Sequence, residues 1–182
     1  FSTCSSDNAF LTFCGFPPLA DSFEQGDFFM FVNDLFKEQK EFDEKLRINP
    51  ELTEYKIKAR KNLELHVKLS DLANATQCFA YTEDVLPSIN DTTIFSKYLD
   101  CLRQVLSIGI TNHYDNLAEL FAQPTEDCLS DQFLNLYIDI NDLIISRSED
   151  HFKTLFEDLL TLGSTLGFSE DKIKGGLEKT FN

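Results

Sequence analysis

The spacing of apolar residues is the feature that most constrains this chain. From about residue 21 onward they recur at steps of three and four, which places them on one face of an α-helix. No segment keeps the alternation of a half-buried strand, and no Asn-Gly or Asp-Gly hairpin turn occurs. The sequence therefore predicts an all-α fold, a compact bundle of six to seven helices with an irregular, disulfide-tethered N-terminal arm.

Prolines and capping residues predict where these helices begin and end. Ser148 and Ser169 are each followed by two acids, a pattern typical of a helix N-terminus. Pro50 and Pro124 separate neighbouring helices. The predicted helices cover approximately residues 21–47, 50–73, 92–110, 112–122, 125–144, 148–163 and 169–181.

The length of 182 residues suits one domain. Residues 1–21 contain Pro17-Pro18 and lack a helical period, so they are predicted to form the arm. Residues 22–182 are predicted to form a single helical domain.

Phenylalanine is in surplus, with 18 Phe and no Trp in the chain. Most of the phenylalanines fit a helix stripe and predict a Phe-rich interior. A helix needs only one apolar face to join a core, so Phe29 and Phe31 call for a second partner. The predicted contacts with a ligand or another subunit are Phe10, Phe13, Phe16, Phe28, Phe29 and Phe31.

Three features together predict a secreted, extracellular glycoprotein. The chain starts at Phe1 and its one methionine is Met30, as expected after removal of a signal peptide. Two sequons offer glycosylation at Asn74 and Asn90. The chain also has five cysteines without metal-site spacing, which would form two disulfides and leave one thiol buried or bonded to another chain. These cysteines are Cys4, Cys14, Cys78, Cys101 and Cys128.

The net charge of −15 argues against several partners. Nucleic acids and anionic membrane surfaces bind clustered lysine and arginine, which this acidic protein lacks. No segment reaches the length of an integral membrane helix. The net negative charge is explained as a means of keeping the protein soluble, because like charges repel neighbouring molecules.

Motifs that carry chemistry are missing from the sequence. There is no HExxH, no GxSxG elbow and no glycine-rich phosphate loop, and the three histidines are scattered. The acidic segment 139–142 lacks the glycine and the distal glutamate of a calcium loop, and the helical period continues through it. No catalytic residue, metal or cofactor is therefore predicted, and the chain is not expected to be an enzyme.

Two functions fit these expectations. The first is a carrier that binds a fatty acid or another lipid in the Phe-rich interior. The alternative is an extracellular structural or interaction subunit that assembles as a homo-oligomer through apolar helix faces and an intermolecular disulfide.

Overall fold

The structure is a computed structural model that describes residues 28–82 and 89–181, without the side chains of Phe28, Phe29 and Phe181. Within these ranges it is mostly helical, so the prediction of a helical bundle is confirmed. The helices are α1 Asn33–Glu44, α2 Glu54–Thr76, α3 Asp91–Asn112, α4 Leu129–Ile145, α5 Glu149–Thr165 and α6 Glu170–Phe181. The strands are β1 Phe28–Phe31 and β2 Glu119–Ala122.

Local capping explains where several helices begin. The Ser148 hydroxyl accepts the backbone N–H three residues later at 3.1 Å, and Ser169 does the same at 3.3 Å. Both serine caps were predicted from the sequence. The sequence predicted Asp91 or Thr92 as the cap of α3, but the cap is Asn90, whose side chain accepts the Thr93 N–H at 3.1 Å.

The prediction that the chain has no strand is wrong. Residues 28–31 and 119–122 were assigned to helices, but they pair as an antiparallel two-stranded sheet in which Met30 lies opposite Leu120. Met30 and Leu120 are buried, whereas Phe31 and Phe121 point outward. Four-residue strands are too short for an alternating pattern to stand out, and each is formed only by pairing with the other.

The sheet is held against α5 by backbone donors on β2 and just beyond it. The Phe121 N–H donates to Glu157 Oε1 at 3.2 Å, and the Gln123 N–H donates to Thr161 Oγ1 at 3.0 Å. Edge groups that the two-stranded sheet leaves unpaired are thereby satisfied. This anchoring explains why residues 119–122 are extended although their composition also suits a helix.

Two helix ends differ from the prediction. The α5 helix was expected to end at Gly163 and Gly167; it continues past Gly163 to Thr165, and the chain turns at Gly167, whose φ is 79°. Gly163 lies inside α5 because the ring of Tyr98 packs directly on its backbone. The α4 helix begins after Cys128, not at the predicted capping residue Thr125.

One core joins all the helices. Tyr98, Phe152 and Phe156 are among its largest fully buried side chains, and the Tyr98 hydroxyl donates to the Leu159 carbonyl at 3.1 Å. The rings of Phe36 and Phe156 meet edge to face with 6.2 Å between centroids. Among the described residues, leucine supplies just over half of the buried hydrophobic side chains, and phenylalanine supplies fewer than a quarter.

The predicted disulfide framework is not supported. Cys101 and Cys128 are free thiols, and no disulfide joins the cysteines of the described residues to one another. Cys4, Cys14 and the arm of residues 1–21 lie outside the described residues. None of the helices in the described ranges combines the length and hydropathy needed to cross a membrane.

Candidate functional site

Polar side chains follow the contact between α2 and α3 through an otherwise leucine-lined interface. The two helices are antiparallel, because Lys61 in the first half of α2 contacts the second half of α3, whereas Asp71 near the end of α2 contacts Lys97 near the start of α3. We call this row the polar seam. Its members are Asp43 on α1, Lys61, Lys68 and Asp71 on α2, and Lys97, Asp100, Gln104, Ser107 and Thr111 on α3.

One end of the polar seam is closed. Lys61 Nζ donates to Ser107 Oγ and Thr111 Oγ1, both at 2.8 Å, and pairs with Asp43 Oδ2 at 3.4 Å. Ser107 also donates to the Asp43 carboxylate. An ammonium group has three donors, and here all of them have protein partners. This end joins α1, α2 and α3 and has no spare group for a ligand.

Gln104 links the closed end to the rest of the polar seam. Its side-chain amide is buried, donating to the Lys61 carbonyl at 3.0 Å and accepting from Lys68 Nζ at 2.8 Å. Lys68 also pairs with Glu64 at 3.0 Å, one turn earlier on α2. The amide therefore fixes the position of an ammonium group that is still partly open to solvent.

The other end of the polar seam is open and carries four charges. Lys68 and Asp71 on α2, and Lys97 and Asp100 on α3, repeat the same three-residue spacing. Lys97 Nζ lies 3.6 Å from Asp71 Oδ2, and both side chains are more than a third exposed. The buried Cys101 thiol lies within electrostatic range of all four charges. Burial is the largest cause that raises its pKa to about 12; Asp100 and Asp71 also raise the pKa, and Lys68 and Lys97 lower it.

Exposed aromatic rings lie just past the end of α2. Phe79 is 57% exposed and Tyr81 is 91% exposed. Because α2 and α3 are antiparallel, the end of α2 lies beside the start of α3, which carries Lys97. Exposed aromatic rings can stack on a planar base.

The charged groups of the open end are largely paired with one another. Lys68 pairs with Glu64 at 3.0 Å and Lys97 with Asp71 at 3.6 Å, so two of its carboxylates already have an ammonium partner. In the parts of the chain that the structure describes, no three histidine, cysteine or acidic side chains lie close enough together to hold an ion.

A second acidic pair lies between α4 and α5. Burial, followed by a hydrogen bond and charge repulsion from Asp158, raises the pKa of Asp139 to about 7. The fold therefore favours the protonated form of the Asp139 carboxyl group up to about neutral pH. The helix runs through residues 139–142 as predicted, so this segment is not a calcium loop.

The phenylalanines predicted as contacts are not part of the polar seam. Phe28 and Phe29 lie on β1, where their side chains are not described, and Phe31 is 55% exposed. Phe10, Phe13 and Phe16 lie outside the described residues.

The two sequons lie at opposite sides of the α2–α3 connection. Asn74 is exposed in the last turn of α2, and Asn90 is the residue that caps α3. Whether either asparagine carries a glycan stays a prediction.

The lysines of the open end were missed at the sequence level, although a signal for them exists. Lys68-Leu69-Ser70-Asp71 and Lys97-Tyr98-Leu99-Asp100 repeat Lys-x-x-Asp on consecutive long helices. Such a repeat puts a lysine and an aspartate on one helix face in each case. Only the antiparallel packing of α2 on α3 shows that the two faces meet.

Together, the fold and the polar seam define a helical protein whose two longest helices carry partly exposed, charged side chains where they meet. A comparison with protein families finds a match. The family model described as dUTPase matches residues 32–179, which include every member of the polar seam. The chain belongs to this dUTPase family. No curated protein and no solved structure matches the chain.

The family match corrects the functional expectations. The predictions of a non-enzymatic lipid carrier and of an extracellular structural subunit are wrong, because the match covers most of the chain and points to a dUTP-hydrolysing enzyme. The reasoning failed because it looked for enzymes through short motifs. The chain belongs to this family although it carries none of the motifs that were sought.

Proposed function

We propose that this chain binds dUTP at the open end of the polar seam and hydrolyses one of its phosphoanhydride bonds. The observation that carries the proposal is the match to the dUTPase family over residues 32–179, within which the polar seam is the charged cluster between the two longest helices.

Lys68 and Lys97 are suited to hold the phosphates. Each offers ammonium donors to anionic oxygens, and such charge-assisted hydrogen bonds are among the strongest in proteins. Gln104 orients Lys68 through the 2.8 Å hydrogen bond between its Oε1 and the lysine Nζ. The triphosphate would displace Asp71 from its 3.6 Å pairing with Lys97.

The aspartates of the open end are suited to handle the water. Asp71 and Asp100 can accept a proton from a water molecule as its oxygen attacks a phosphorus atom. The P–O bond to the leaving group then breaks, and the water proton passes from the carboxylate to solvent. Phe79 and Tyr81 offer rings on which the uracil base can stack.

The test uses the full chain and matched lysine variants. The chain is incubated with dUTP, dCTP, dTTP or UTP, and the nucleotides are separated by anion-exchange chromatography. Loss of dUTP in preference to the other three is expected. Lys58→Gln is the control for Lys68→Gln, because Lys58 is also on α2 and pairs with a glutamate four residues earlier.

The two variants should differ sharply. Lys68→Gln should lower kcat/KM by about 10–100-fold, the equivalent of one charge-assisted hydrogen bond, and Lys58→Gln by less than about twofold. Failure of the chain to consume dUTP would refute the proposed function. Equal effects of the two variants would place the site elsewhere.

A homo-oligomer, predicted from surplus apolar faces, is also proposed. Leu63 and Val67 on α2 are 65% and 54% exposed, and Leu134 and Ile138 on α4 are 60% and 57% exposed. Tyr137 joins these two helices through its 2.7 Å hydrogen bond to α2. Light scattering that gives only the 20.9 kDa monomer would rule the oligomer out. The secreted, extracellular location stays a prediction of the sequence.

A further inference from the structure

Binding and cleaving a nucleoside triphosphate requires positive charge. Many proteins supply it with Mg²⁺, which carboxylates hold against the phosphate oxygens. A chain of this family is therefore expected to bring several acidic side chains together. Such a cluster is not found among the residues that the structure describes.

The open end of the polar seam has a different donor set. Its two aspartates, Asp71 and Asp100, come from different helices, and each has a lysine three residues before it. Lys97 already pairs with Asp71 at 3.6 Å. A divalent cation at Asp71 would meet the Lys97 ammonium group, and that repulsion would offset its attraction to the carboxylate. The residues present do not fit a divalent cation.

We propose that this chain binds nucleotide phosphates without a divalent cation, with Lys68 and Lys97 supplying the positive charge in its place. The inference rests on the proposed function. The proposal also gives a role to the buried amide of Gln104, which accepts a hydrogen bond from Lys68 and orients its ammonium group. A fixed ammonium group loses less freedom on meeting a phosphate than a mobile one.

The first experiment measures nucleotide binding with and without the ion. Calorimetry records the Kd of the full chain for α,β-imido-dUTP, a non-hydrolysable analogue, in EDTA and in excess Mg²⁺. The two Kd values should agree within about threefold, and Lys68→Gln or Lys97→Gln should weaken binding by about tenfold or more in both buffers. Lys58→Gln, the matched α2 control, should leave both values unchanged. Binding that is lost in EDTA would overturn the proposal.

The second experiment needs no nucleotide. Paramagnetic resonance of free Mn²⁺ measures how much of the ion the chain takes up. The wild-type chain should show no stoichiometric site, and uptake of one ion per chain would overturn the proposal.

A charge-reversed variant makes the second experiment sharper. Lys68→Glu with Lys97→Glu would replace two ammonium groups with carboxylates beside Glu64, Asp71 and Asp100. This variant should gain one Mn²⁺ site, and Lys58→Glu, which adds a carboxylate away from Asp71, should not. A folded double variant, checked by circular dichroism, that takes up no Mn²⁺ would show that the open end is not shaped as described and would overturn the proposal. If the double variant does not fold, the wild-type Mn²⁺ uptake decides.

The two proposals fail in different ways. If α,β-imido-dUTP binds in neither buffer, the proposed function is refuted and the lysines lose their role as phosphate ligands. If the analogue binds only with Mg²⁺, the proposed function survives and the cation-independent site is refuted.

Discussion

Gly163 is the position at which the core tolerates a side chain least. It lies within α5, and a Cβ built there would overlap the hydroxyl of Tyr98 and come within 3.0 Å of its Cε2 atom. Tyr98 is fully buried, and its hydroxyl is held by the 3.1 Å hydrogen bond to the Leu159 carbonyl. The ring cannot move aside without breaking that bond. Gly163→Ala is therefore expected to destabilise the fold.

Three contributions set the magnitude. Alanine in place of glycine inside a helix stabilises it by about 1 kcal/mol. Overpacking of the core costs about 1–3 kcal/mol, and leaving the buried Tyr98 hydroxyl unsatisfied costs about another 1–3 kcal/mol. The free energy of unfolding should fall by about 3 kcal/mol, within a range of about 1–5 kcal/mol.

Urea denaturation of Gly163→Ala and Gly175→Ala tests this reasoning. Gly175 lies in α6 with no atom within 4 Å of its built Cβ, so alanine there should be neutral or stabilise by up to about 1 kcal/mol. Adding Tyr98→Phe to Gly163→Ala should recover part of the loss, because it removes the overlapping hydroxyl. Equal stabilities for the two alanine variants, or no recovery with Tyr98→Phe, would refute the packing argument.

Three further predictions concern charged and reactive groups. The pKa of Asp139 is about 7 in the fold against an ordinary 3.8, so the folded state binds the extra proton and the free energy of unfolding falls as pH rises between these values. After discounting for partial exposure, the free energy of unfolding should fall by about 1–2 kcal/mol. Asp139→Asn should abolish this fall when urea titrations at pH 5 and pH 8 are compared. An unchanged fall in the variant would show that Asp139 is not its cause. Lys61→Met should destabilise by about 2–3 kcal/mol because it leaves a mostly buried carboxylate unpaired, whereas Lys58→Met should cost under about 1 kcal/mol. At pH 8, iodoacetamide should modify the half-buried Cys128 in the native chain and Cys101 only after denaturation; equal rates would contradict the burial of Cys101.

The sequence determined the helices because helical hydrogen bonds are local. A cap such as Ser148 acts on a backbone N–H three residues away, and an apolar stripe repeats within two turns, so both can be recognised in a short window. These signals predicted the beginning of α5 and α6 and the helical character of the bundle. They could not predict β1 and β2, because each strand depends on a partner far away in the chain.

The site was decided by tertiary structure alone. Each Lys-x-x-Asp pattern looks like an ordinary solvated helix face, and only the antiparallel contact of α2 with α3 brings Lys97 to Asp71 and Lys68 to Gln104. The same packing buries the thiol of Cys101, which the sequence had suggested for a disulfide. The spacing of apolar residues had correctly indicated a helical bundle, but spacing, charge and residue counts carry no information on which faces meet. The proposed phosphate site depends on that meeting, since a phosphate is held best by several positive groups at one place.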